Sequence, residues 1–172
     1  MALHREVGPA RTTVTAIAER AGVERLTVYR HFADEGALFA ACSAHFLAET
    51  GPPNPERWTG LGDPAERLRA ALLTFYGYYR RGEDMIANVY RDAPQIPALA
   101  AVLAPWTKFV ELVRGELTDT WCADDQARVR MAAVIGHALR FETWQSLARV
   151  EGLADEDVAA LMLELVRVAT DH

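Results

Sequence analysis

Apolar residues recur at three- and four-residue spacing along most of the chain, and nowhere do they alternate convincingly with a period of two. The pattern predicts an all-α fold, and the punctuation sets its elements. Thr13 caps a short helix that reaches Ala21 and stops at Gly22. A second short helix covers 25–32, and Asp34 caps a third that runs to 49. Asp63 and Pro64 form an N-cap and first-turn pair for a helix to 81, followed by a short helix over 83–91. Pro94 and Pro97 lead into a helix to 121. Asp124 and Asp125 begin a long helix ending near Gly152. Asp155, Glu156 and Asp157 put negative charge at the start of the last helix, where the helix dipole favours it.

The stretch from 50 to 64, TGPPNPERWTGLGDP, holds four prolines and three glycines and reads as a linker. It separates a head, 1–49, from a larger helical domain, 65–172. Ten of the twelve residues in VAALMLELVRVA, 158–169, are apolar. One buried stripe would not need so many, so this helix is expected to be covered on a second side by a partner. Gly136, Arg140, Trp144, Leu147, Leu161 and Leu165 are the candidate contacts of a two-fold, four-helix interface in a homodimer.

The most informative stretch is TTVTAIAERAGVERLTVYRHFADEGALF, 12–39. Ile17, Ala18 and Ala21 form a small apolar face on a two-turn helix. Gly22 supplies a left-handed residue for a sharp turn, and Val23 plugs the corner. Val28 and Phe32, four apart, point back at Ile17. The other face of the second helix carries Arg25, Thr27, Tyr29 and Arg30, all hydrogen-bond donors. One helix braces while the next is free to enter a DNA major groove.

This segment resembles the DNA-binding head of tetracycline-repressor (TetR/AcrR-type) transcriptional regulators. The resemblance rests on Thr13, Ile17, Ala18, Ala21-Gly22-Val23, Thr27-Val28-Tyr29, His31-Phe32 and Ala37-Leu38. The stretch FETWQSLARVEGL, 141–153, is also family-like, as is the order of helices after the head. The resemblance implies a homodimeric regulator whose C-terminal domain binds a small molecule and releases operator DNA. Thr13, Arg25, Thr27, Tyr29, Arg30 and His31 are the candidate DNA contacts. Arg25 is the expected base reader, since a guanidinium pairs with guanine O6 and N7. Thr13 and Thr27 are expected at phosphates, and in the family the position of Tyr29 usually meets one.

Three features depart from the family pattern. Only eleven residues precede Thr12-Thr13, Gly8-Pro9 among them, so the first helix is expected to be a stub that leaves the head's apolar face partly uncovered. Glu24 stands where a small capping residue is usual, and Glu35 where a lysine is frequent. Five arginines and five acids leave residues 1–45 with no net charge. Weak, strongly salt-dependent DNA binding is the expectation.

The middle of the chain is rich in aromatics. Phe75, Tyr79, Tyr90, Trp106, Phe109, His137 and Phe141 are the candidate lining of a small-molecule site, with Tyr79, Tyr90, His137 and Glu142 as its polar tips. Few positive charges lie nearby, so a mainly apolar effector is expected.

Composition narrows the remaining classes. The net charge of -6 excludes a protein that coats nucleic acid with its whole surface, but not a local reading element. Two cysteines, Cys42 and Cys122, make no disulfide framework and fit a reducing compartment. The longest apolar run, 98–106, is too short to span a bilayer, and no secretory signal opens the chain. A cytoplasmic protein with no membrane partner is expected. No catalytic motif appears, so no enzyme and no cofactor is expected, and Cys42 with His45 makes too few ligands for a metal. The leading reading is a ligand-responsive repressor. The alternative is a dimeric small-molecule-binding or interaction protein whose vestigial head does not bind DNA.

Overall fold

The computed structural model describes residues 1–121 and 125–170. Cys122 and Asp124 lie outside them. The described residues are helical and contain no strand, so the fold is all-α. In chain order the helices are α1 (Ala2–Glu6), α2 (Val14–Ala21), α3 (Arg25–His31), α4 (Glu35–Thr50), α5 (Glu56–Thr59), α6 (Pro64–Asp92), α7 (Pro97–Asp119), α8 (Asp125–Ala138), α9 (Phe141–Gln145) and α10 (Asp155–Thr170). Short 3-10 turns follow α1 and α6, and a π-helical turn, Ser146–Val150, follows α9.

The chain divides into two compact units. One comprises Met1–Pro52 and Gly82–Pro105, the other Pro53–Arg81 and Trp106–His172. The first unit therefore includes part of the stretch that the sequence assigns to the larger domain.

Three elements differ from the sequence expectation. The first is α6, one continuous helix of 29 residues where a break near Gly82 was expected. A Cβ at Gly82 would lie 2.5 Å from Cζ of Phe46, so this glycine makes room for an α4 ring instead of ending a helix. The second is the expected linker, which contains α5 and the fully buried Trp58. The third is the helix expected to run to Gly152. It stops at Ala138, Arg140 is extended (φ -74, ψ 142), and α9 restarts the helix. The hydroxyls of Tyr76 and Tyr79 donate to the carbonyls of Ala138 and Leu139, at 3.0 and 2.5 Å, satisfying groups that the break leaves open.

In the second unit, Leu68, Leu72, Phe75, Tyr76 and Tyr79 of α6 are buried together with Leu117 of α7, Met131 and Ile135 of α8 and Val158 of α10. Each such side chain contributes about 1.5–3 kcal/mol by leaving water. Asp155 ties this core together. Arg80 donates to both of its oxygens, at 3.0 and 2.6 Å, and Trp144 Nε1 donates at 2.8 Å. Burial works to raise the Asp155 pKa, but the bonds from Arg80 and Trp144 and the charges of Arg80 and Arg149 outweigh it. The carboxyl is held below its ordinary value.

Candidate functional site

The head is built on local signals. Thr13 caps α2 by accepting from the Ala16 amide at 3.1 Å. At the other end Gly22 is left-handed (φ 65, ψ 33), Val23 N–H reaches the Ala18 carbonyl at 3.0 Å, and Gly22 N–H reaches that of Glu19 at 3.2 Å. These two bonds form a Schellman motif, which turns the chain sharply into α3. Asp34 then caps α4 through the Ala37 amide at 2.7 Å. Buried Ala18 and Val28 mark the packed side of the α2–α3 pair.

On the open side of α3, Arg25, Tyr29, Arg30 and His31 are exposed and Thr27 is half-buried. Thr13 is exposed at the start of α2. The six sequence-predicted contacts therefore lie on the two helices of the turn. The structure adds Leu26, which is not among the sequence-predicted contacts. It is 60% exposed, beside Val23 at 42% and Tyr29 at 52%. An exposed leucine on such a face suits the methyl group of thymine. Its one sequence signal is the spacing, since it falls outside the Val28–Phe32 stripe. Glu24 makes no side-chain cap to α3, and both it and Glu35 are exposed.

The short first helix is held in place within its unit. Arg20 donates to both oxygens of Glu6, at 3.0 and 2.7 Å, which holds the Glu6 carboxyl below its usual pKa. Arg5 pairs with Glu49 at 3.4 Å. Asn88 donates to the carbonyls of His4 and Arg5, and Arg91 donates to that of Val7. These bonds satisfy the open carbonyls at the end of α1.

In the second unit, Phe75 stacks on Phe109 (6.0 Å, 8°) and lies 5.9 Å from Trp106 and 6.0 Å from Trp58. Tyr79 meets Phe141 edge-on at 5.4 Å. Phe75, Tyr79, Trp106, Phe109 and Phe141 are thus brought together in one aromatic cluster. Tyr79 gives its hydroxyl to Leu139, and His137 and Glu142 are exposed. Tyr90 belongs to the first unit, where it is half-buried. Trp58 was missed because it sits in a proline- and glycine-rich stretch. Its ring is fully buried, and its Nε1–H has no hydrogen-bond partner among the described residues. That donor is the cluster's open polar group.

Of the candidate interface residues, Leu161 is 37% and Leu165 45% exposed, with Val168 at 57% one turn on. On α8, Val129 is 74% exposed, Gly136 is half-buried against Arg114, and Arg140 beyond its end is exposed. Leu147 is half-buried. Trp144 is wholly buried within its own unit, under the Arg149 guanidinium at 4.9 Å, so its ring has no face for a second chain. His45 pairs with Glu49 at 3.1 Å, and no cluster of three or more metal-ligating side chains occurs among the described residues. No helix among the described residues is long and apolar enough to cross a membrane.

The family described as "Bacterial regulatory proteins, tetR family" matches over residues 1–42. These residues are similar to a tetR-family head. The fold of the whole chain is shared with two solved structures. A TetR-like transcriptional regulator from Rhodococcus sp. RHA1 superposes with a TM-score of 0.63 at 24% identity, covering 96% of this chain and 87% of that one. A second transcriptional regulator from Rhodococcus sp. Rha1 gives 0.64 at 19% identity, covering 96% and 90%. No curated protein matches the chain. Thr13, Gly22, Val28, Tyr29 and Phe32 all fall inside the matched TetR-type head, as does the exposed face of α3.

Proposed function

We propose that the protein is a homodimeric transcriptional regulator that represses by binding operator DNA through α3 and is released by a small, mainly apolar molecule. The observation that carries this reading is the exposed row Arg25, Leu26, Tyr29 and Arg30 on a helix braced through the Gly22 turn. Arg25 reads a guanine, Leu26 meets a thymine methyl, and Thr13, Thr27 and Tyr29 hold phosphates. His31 and Arg30 add donors at the end of α3. Two copies pair through the exposed stripes of α8 and α10, so the operator is a pseudo-palindrome. The effector enters the aromatic cluster of the second unit and offers one hydrogen-bond acceptor to Trp58 Nε1. It is uncharged or weakly cationic, because an apolar cluster penalises any charge and the aromatic faces offset that penalty only for a cation.

The test is selection of bound sequences from a random DNA pool, followed by footprinting of the enriched site. A two-fold site protected by the wild type and lost with Arg25→Ala supports the reading. No enrichment at low salt refutes it.

A second reading, a small-molecule-binding dimer whose head no longer binds DNA, is favoured by the head's zero net charge and by exposed Glu24 and Glu35. It predicts effector binding with no DNA selected at any salt concentration.

A further inference from the structure

Apart from its DNA-facing side, the head contains a cavity of about 200 Å³, entirely within the first unit. Its walls come from three helices: Ala2, Leu3 and His4 on α1, Ile17 and Ala21 on α2, and Leu38 and Cys42 on α4. The lining is mostly apolar, with Thr12, Arg20 and His4 as its polar members. His4 is 4% exposed, yet its ring makes no hydrogen bond among the described residues. The ring packs against Phe39 at 5.7 Å and borders the cavity. An imidazole without a protein partner, bordering an open space, is a group with which a ligand can pair. Burial, and secondarily the positive N-terminus, push its pKa down to about 4, so near neutral pH it offers one donor nitrogen and one acceptor nitrogen.

We propose that this cavity is a second small-molecule site, in the head itself, for a single-ring compound bearing one hydroxyl, of the size and chemistry of phenol. Size and polarity both support the assignment. An apolar protein cavity of about 150 Å³ suffices to hold benzene. A charged group would be stranded among Leu3, Ile17 and Leu38, because the Arg20 guanidinium in the lining is already paired with Glu6. The ring replaces empty space between α1, α2 and α4, and the hydroxyl pairs with His4. Because α2 forms one wall, the occupant bears directly on the helix that braces α3. This site is separate from the aromatic cluster of the second unit and does not depend on the effector proposed there.

Cys42 makes the test direct, because its half-buried thiol forms part of the wall. The full chain is labelled with iodoacetamide with and without phenol, and the rates at Cys42 and Cys122 are read separately by mass spectrometry. Phenol at millimolar concentration is expected to slow labelling of Cys42 at least about fivefold and to leave Cys122 unchanged. Ala21→Phe, which fills the cavity from an exposed rim position, is expected to abolish the protection. Ala2→Phe serves the same purpose if the first variant does not fold. In His4→Phe, benzene and phenol are expected to protect equally, whereas in the wild type phenol protects better. The proposal is overturned if phenol leaves Cys42 labelling unchanged, slows both cysteines alike, or still protects Cys42 in the filled variants.

Discussion

The backbone amide of Ala10 donates to Oδ2 of Asp92 at 2.9 Å, across 82 residues of sequence. Asp92 is only 3% exposed, and Arg91 also donates to it, at 2.8 and 3.1 Å. The bond from Arg91 is the main cause that holds the Asp92 carboxyl below its ordinary pKa, against the opposing effect of burial. One carboxylate at the end of α6 thus anchors the segment that leads into the helix–turn–helix. Asp92→Ala is expected to lower the stability of the first unit by about 2–3 kcal/mol, the range for a charge-assisted hydrogen bond left unmade. Because the folded pKa is depressed, this contribution is complete above the unfolded value near 4 and is lost as pH falls through the folded value. Urea unfolding of both proteins at neutral and acid pH checks this: the difference between them shrinks in acid.

His4 is expected to give a pH dependence in a higher window. Its pKa falls from 6.5 to about 4 on folding. The unfolded chain therefore binds more protons between those values, and stability declines as pH drops from about 6.5 to about 4. His4→Leu removes the titrating group and is expected to flatten this part of the profile. A wild type and variant with parallel profiles from pH 7 to 4.5 would contradict the buried, neutral imidazole.

The local signals of the head were legible in the sequence because each acts over a few residues. Thr13, Gly22 and Asp34 cap or turn the backbone beside them, and the α2–α3 geometry follows. The misreadings have long-range causes. Gly82 reads as a stop until the Phe46 ring is seen against it. The break after Ala138 depends on the hydroxyls of Tyr76 and Tyr79, some sixty residues earlier. Trp58 is hidden by prolines and glycines that on their own signal a loop. Trp144 shows the same limit: an aromatic on an amphipathic stretch suits an interface, but the bond to Asp155 turns it inward.

Gly82 supplies a test of that explanation. Gly82→Ala would raise helix propensity by about 1 kcal/mol at an exposed site. Here the new methyl meets Phe46, so the substitution is expected to destabilise by about 1–3 kcal/mol. Gly82→Ala combined with Phe46→Leu is expected to recover part of the loss, a coupling that a double-mutant cycle measures.

Leu161→Glu and Leu165→Glu probe the proposed dimer. Both residues are partly exposed within the chain, so a charge at either is expected to leave helicity intact. It is expected to dissociate the dimer at micromolar concentration, because charge would be buried at the interface. Light scattering beside circular dichroism separates the outcomes. A wild type of monomer mass at the same concentration would sink the proposal of a homodimer.

Glu35, at the start of α4, is exposed on the head. Glu35→Lys is expected to tighten DNA binding several-fold and to steepen the dependence of affinity on salt by about one unit of slope. An unchanged slope would place Glu35 away from the phosphates.

The central claim is that α3 reads DNA, and one titration tests it most directly. The affinity of the selected operator is measured for the wild type and for Arg25→Ala, at two salt concentrations, on the operator and on a scrambled duplex. If α3 lies in the groove with Arg25 on a guanine, Arg25→Ala weakens operator binding by about ten- to a hundredfold. Affinity for the scrambled duplex changes far less, and wild-type binding falls steeply with salt. Equal affinity of the wild type for operator and scrambled duplex, or an operator affinity untouched by Arg25→Ala, would contradict the account.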